Sequence, residues 1–177
     1  MRRRSPMANV QRLSLTLAAW SAFAATPALA HIVADPAAAP GGAYQVIRFR
    51  VGHGCGEAAT TALRVETPAG LAQAQARPQP KPGWTLSVAR EPAAAGGEAR
   101  VAAVTWRGEL PADQFDEFAL LVKLPATPRP LYFPTVQTCG GEEAQWTEIP
   151  EAGETGLSHP APAVQVTPAA ASDAHHH

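Results

Sequence analysis

Aromatic side chains are scarce in this 177-residue sequence, at 6%, charged ones reach only 16%, and cysteine occurs twice. Serine is sparse and none stands in a Gly-x-Ser-x-Gly turn, which removes the usual hydrolase elbow. No glycine-rich phosphate loop precedes a helical stretch. Beyond the first thirty residues no segment repeats with a period of 3.6, so amphipathic helices are not expected. There is no internal repeat. The apolar run near the N-terminus falls short of the roughly 20 residues that a bilayer span needs.

What that N-terminus does hold is ordered in three parts. Arg2, Arg3, Arg4 and Arg12 make a basic, acid-free segment, Leu13 to Ala25 is apolar, and Ala28-Leu29-Ala30 places small residues at −3 and −1 of a cut before His31. That is the pattern of a secretory signal peptide, assigned to residues 1–30. Its removal takes four of the 14 basic side chains and none of the 15 acidic ones, leaving 10 against 15 and a net charge of −5. A negative mature chain is a poor match for nucleic acid or an anionic membrane and mildly favours cations. The expected location is periplasmic or otherwise exported. In an oxidising compartment Cys55 and Cys139 pair as a disulfide, worth about 4 kcal/mol in the chain-entropy account. The alternative use of two such thiolates is a copper(I) site.

The mature chain reads as a series of short strands. Tyr44–Val51 alternates, with Ile47, Phe49 and Val51 on the buried side. Ala62–Thr67, Trp84–Arg90 and Arg100–Trp106 follow, the last entered through the turn Ala95-Gly96-Gly97. Phe118–Leu124 is continuously apolar, which suits a central strand, and Leu131–Gln137 and Ala144–Ile149 close the set. Pro78, Pro80 and Pro82 belong to an extended linker, since proline lacks the ladder donor. Gly108 to Phe115 is a longer connection with a single helical turn at Pro111–Gln114. About seven strands joined by turns specify an all-β, immunoglobulin-like antiparallel sandwich over residues 31–150. Residues 151–177 are rich in alanine, proline and glycine, and are expected to form a flexible tail with at most a brief docking of Val164-Gln165-Val166 on a sheet edge. The tail ends in His175, His176 and His177, either a native metal-catching end or the remnant of a tag.

Three residues could carry chemistry. After cleavage His31 offers its α-amine and its imidazole together, a nitrogen pair suited to Cu(II). His53 lies in the turn Gly52-His53-Gly54-Cys55-Gly56, where a Cys55–Cys139 bridge would hold it, with Glu57 nearby as a carboxylate. That bridge would also bring the hairpin of Trp146 close enough to flank a cation. The plain alternatives are a surface histidine, a turn histidine facing water, and a core tryptophan like Trp84 and Trp106.

His31-Ile-Val-Ala-Asp-Pro36, Phe49-Arg-Val-Gly-His-Gly-Cys55, Ala59–Val65, Pro80–Trp84, Phe115–Phe118, Tyr132–Cys139 and Gln145–Pro150 together give the mature chain a resemblance to the YcnI-like family of exported copper-binding domains. The resemblance implies a β-sandwich that binds Cu(II) through a terminal histidine, with a carboxylate and a tryptophan completing the site. His31 and Trp146 match two of those roles. The carboxylate region reads Gly52-His53-Gly54, so His53 takes that place as a metal ligand, with Glu57 as the substitute. The implied function is a non-enzymatic periplasmic protein of copper storage, delivery or resistance, whose partners are the copper ion and another periplasmic or membrane copper-handling protein. Two readings from other classes compete: a histidine-brace copper monooxygenase, and a metal-free structural or assembly sandwich.

Overall fold

The computed structural model describes residues 31–69, 71, 76–92 and 99–169. The expected leader at 1–30, the expected turn at Ala95-Gly96-Gly97 and His175 to His177 lie outside those residues. Among them the chain forms strands β1 (Val33–Asp35), β2 (Ala38–Pro40), β3 (Tyr44–Val51), β4 (Thr60–Glu66), β5 (Ala76–Pro78), β6 (Thr85–Glu91), β7 (Arg100–Leu110), β8 (Asp116–Lys123), β9 (Arg129–Tyr132), β10 (Thr135–Cys139), β11 (Glu142–Trp146) and β12 (Ala163–Thr167), and no helix. They assemble in three sheets, ordered β1-β3-β8-β5, β11-β10-β4-β7-β6 and β2-β12-β9.

The first two sheets pack face to face, and the alternation of β3 shows why. Ile47, Phe49 and Val51 are buried while Arg48 and Arg50 are exposed, because successive side chains of a strand point to opposite faces. β8 lies between β3 and β5, as its continuous apolar character suggests, and pairs with β3 from Tyr44↔Lys123 to Val51↔Asp116. On the solvent side Arg50 meets its cross-strand partner Glu117 at 2.9 Å. On the inner side Phe118 of β8 meets Trp106 of β7 across the gap between sheets, at 5.6 Å between ring centroids, and Trp84 stands edge-on to Phe118 at 4.9 Å. The buried indole of Trp106 gives its N–H to the Gln79 carbonyl at 3.0 Å, so its polar atom is satisfied. Gly108 of β7 leaves the room in which Trp84 lies, since a Cβ there would enter the indole ring. β5 is an edge strand and ends at Pro78, where the missing N–H costs no ladder bond.

Three expectations are corrected. Leu131–Gln137 is not one strand. Pro134 cannot donate to a ladder, and the chain changes sheet at Phe133-Pro134, leaving β9 and β10 in different sheets. The connection from Gly108 to Phe115 is shorter than its sequence suggests. β7 runs on to Leu110, and a turn closed by Gln114 N–H on the Pro111 carbonyl at 3.1 Å stands where a helical turn was expected. The largest correction concerns the segment after Pro150. Its β12 is the middle strand of the third sheet, parallel to β2 and antiparallel to β9. Val164 and Val166 are fully buried and Ala161 nearly so. Alanine and proline dilute the composition, but the alternation Val164-Gln165-Val166 fits a slot with ladder partners on both sides. The ordered domain therefore extends to Thr167 and does not stop at residue 150.

Candidate metal centre

His31 lies just ahead of β1, exposed, at the edge of the first sheet. Trp146 is the last residue of β11, the edge strand of the facing sheet, where it pairs with Thr135. The two rings meet with centroids 5.6 Å apart and planes inclined at 40°. Trp146 is only 4% exposed, and its indole N–H has no hydrogen-bond acceptor among the described residues. Trp106 has such an acceptor, so the two tryptophans differ in kind. A buried donor left unpaired costs about 1–3 kcal/mol, and an indole nitrogen can only donate. The position of Trp146 thus suits an acceptor that arrives with a ligand.

A third ring joins this pair. His159 stands 5.2 Å from Trp146, inclined at 47°, and is half-buried. Its backbone is fastened to Glu148, two residues beyond Trp146. The His159 N–H donates to the Glu148 carboxylate at 2.7 Å, the Glu148 N–H donates to the His159 carbonyl at 3.1 Å, and the Ala161 N–H donates to the Glu148 carbonyl at 2.8 Å. Sequence reasoning missed His159 by assigning it to the tail. The signal available was its place four residues before β12, the strand with the alternating valines Val164 and Val166.

His53 is positioned by different neighbours. Its ring Nδ1 lies 2.6 Å from the Gly54 carbonyl oxygen, which leaves Nε2 for other use, and its own carbonyl accepts from the Gln137 side chain at 3.0 Å. Gln137 is buried and also donates to Thr60 Oγ1 at 2.7 Å. The Cys55–Cys139 disulfide closes the loop onto β10, so no free cysteine remains for a copper(I) thiolate site. Of the three glycines in Gly52-His53-Gly54-Cys55-Gly56, only Gly56 takes a positive φ, of 61°. Gly54 is needed for space, because a Cβ there would strike the Ala58 carbonyl. Val33 pairs with Arg50 in the β1–β3 ladder, and continuing that antiparallel register carries His31 towards Gly52, next to His53. Yet His53 makes no ring contact with His31 or Trp146. Glu57 is exposed and forms no ion pair among the described residues. No group of three His, Cys, Asp or Glu side chains among the described residues is gathered as a metal site. The structure thus brings His31 and Trp146 together and leaves His53 and Glu57 outside their ring cluster.

The family model described as "Domain of unknown function (DUF1775)" matches residues 31–166. Its reach to residue 166 agrees with the buried β12. YcnI-like proteins carry this domain, so the resemblance in residues holds at the level of the family. Among solved structures, an uncharacterized protein from Nocardia farcinica with an immunoglobulin-like fold is 33% identical, with a TM-score of 0.61 over 77% of this chain and 97% of that one. No curated protein matches. The chain belongs to the DUF1775 family and folds as an all-β, immunoglobulin-like sandwich.

Proposed function

We propose that this protein is exported, cut before His31, and binds Cu(II) at the new terminus as a non-enzymatic member of a copper storage, delivery or resistance system. The observation that carries the reading is the contact between the His31 ring and a buried Trp146 whose N–H lacks an acceptor. Cleavage frees the α-amine of His31, which with the imidazole gives two nitrogens on one residue, and Cu(II) prefers nitrogen and oxygen donors in tetragonal arrangement. Trp146 shields one side from water and holds the imidazole in place. The disulfide is compatible with export.

The two nitrogens of His31 are the donors offered to the ion: His31 is exposed and open to an incoming cation, and the indole N–H of Trp146 is free to donate to an oxygen ligand carried by that ion. The mature net charge of −5 favours cation capture over nucleic acid. An exported protein of this kind would pass its ion to, or take it from, another periplasmic or membrane copper-handling protein.

The test uses the α-amine. Mature protein beginning at His31, with His175, His176 and His177 replaced by alanine, should bind one Cu(II) tightly. One added residue before His31 should weaken that binding by about a hundredfold, or about 2.8 kcal/mol, in a competitive titration. Equal affinity in the extended protein would sink the proposal.

A further inference from the structure

We propose that the outer face of the sheet β1-β3-β8-β5 docks an acidic protein partner. The inference does not rest on the copper reading, since it uses none of His31, His53, Trp146 and His159.

Residues directly opposite each other in a ladder share one face of the sheet. The pairs Val33↔Arg50, Asp35↔Arg48, Arg50↔Glu117, Arg48↔Ala119, Tyr44↔Lys123 and Arg77↔Leu121 therefore lie together on the side turned away from the core. Val33, Asp35, Tyr44, Arg48, Arg50 and Arg77 are exposed, so no described element covers that side. It carries four cations, Arg48, Arg50, Arg77 and Lys123, and two carboxylates, Asp35 and Glu117, which is 4 minus 2, or +2. Residues 31–177 as a whole carry 10 basic and 15 acidic side chains, or −5. The net charge of the chain thus conceals a face of the opposite sign.

The cations on this face are unequally satisfied. Glu117 is held by Arg50 at 2.9 Å and stands 3.9 Å from Arg48. Arg77 and Lys123 form no ion pair among the described residues, and Lys123 lies over the Tyr44 ring at 5.7 Å. Arg48, Arg77 and Lys123 thus surround a small apolar centre of Val46, Ala119 and Leu121. Val33 is 42% exposed and Tyr44 57%, two of the five large apolar side chains left open to solvent among the described residues. Tyrosine and arginine around an apolar centre is the composition of a protein interface. Where β5 ends, Arg48 also reaches a cleft of about 240 Å³ between β8 and Pro80-Lys81-Pro82, with room for one side chain of a partner. Lys81 is already bound to Asp116 there at 2.6 Å, so Arg48 is the cation left for an incoming carboxylate.

A protein fits these features better than an anionic bilayer. Lipid phosphates would be pressed against Asp35 and Glu117, whereas a protein can meet those carboxylates with cations of its own. A bilayer also faces the −5 of the whole chain over a wide area. A compact acidic patch feels chiefly the near face, because charges are screened beyond about 8 Å at physiological salt.

The probe is a synthetic peptide of alternating glutamate and leucine, titrated into the metal-free mature chain at low ionic strength. Amide NMR shifts should move along 44–50, at Arg77 and along 117–123, and stay still on β6 and β7. Arg48→Gln, Arg77→Gln and Lys123→Gln combined should weaken binding by about tenfold or more. Arg64→Gln, Arg90→Gln and Arg107→Gln remove the same charge from the other sheet, and should change it by less than about twofold. Equal weakening in both triple variants overturns the proposal, as does a shift map centred on β6 and β7, or no shift at millimolar peptide. Vesicles of phosphatidylglycerol and phosphatidylcholine should leave the protein in solution. Sedimentation with them that disappears in the Arg48, Arg77 and Lys123 variant overturns the proposal in favour of a membrane. The shift map is read on the parent chain, so it decides even where a triple variant fails to fold.

Discussion

Two tryptophans of similar burial play opposite parts. Trp106 is fully buried and its indole N–H reaches the Gln79 carbonyl, whereas Trp146 keeps an unpaired donor at the surface edge of the core. Trp106→Phe loses ring volume and strands the Gln79 carbonyl, so it should cost about 2–4 kcal/mol. Trp146→Phe loses the same volume but also removes an unsatisfied donor. The two effects offset, and metal-free stability should stay within about 1 kcal/mol of the parent. Urea unfolding of both variants checks the contrast. Equal losses would mean that Trp146 is an ordinary core residue. At this scale the sequence singled out His31 and Trp146 as separate positions, and the structure brings their rings to 5.6 Å. The sequence was silent about His159, whose nearness to Trp146 depends on a chain reversal between Glu148 and Pro160.

Among the elements, β12 has the widest influence. It bonds β2 on one side and β9 on the other, and buries Val164 and Val166 in the common core. Val164→Asp places a charge where no partner is available. It should destabilise by more than about 3 kcal/mol, seen as a lower urea midpoint. An unchanged midpoint would restore the view of a loose tail. Strands such as β3 were legible because their alternation is uninterrupted over eight residues. β12 was not, since its five residues sit among alanines and prolines and its parallel partner β2 lies at the other end of the chain. The split of Leu131–Gln137 into β9 and β10 was hidden for a related reason. A proline announces a break, but not which sheet the chain joins afterwards.

For the whole molecule, the disulfide and the proposed cation site constrain different states. Cys55 and Cys139 are 84 residues apart, so reduction of the bridge should remove about 4 kcal/mol by freeing the unfolded chain. Thermal unfolding with and without reductant measures this. Copper should act on the folded side. At a free concentration of 100 Kd it should raise stability by about 2.7 kcal/mol, and only in protein processed at His31. A precursor stabilised to the same degree would place the binding elsewhere, His175 to His177 being the first suspects.

The middle position of β12 also governs when this protein can be finished. Synthesis delivers β2 early and β9 later, yet neither has its inner neighbour until residue 167 has emerged. Until then both present open edges to other chains. A ribosome that stalls before Ala163 therefore leaves a polypeptide with a sheet missing its centre, an open substrate for chaperones and proteases. The strand that completes the third sheet is thus the last of the described strands to be made, and the body of the domain closes only when it arrives.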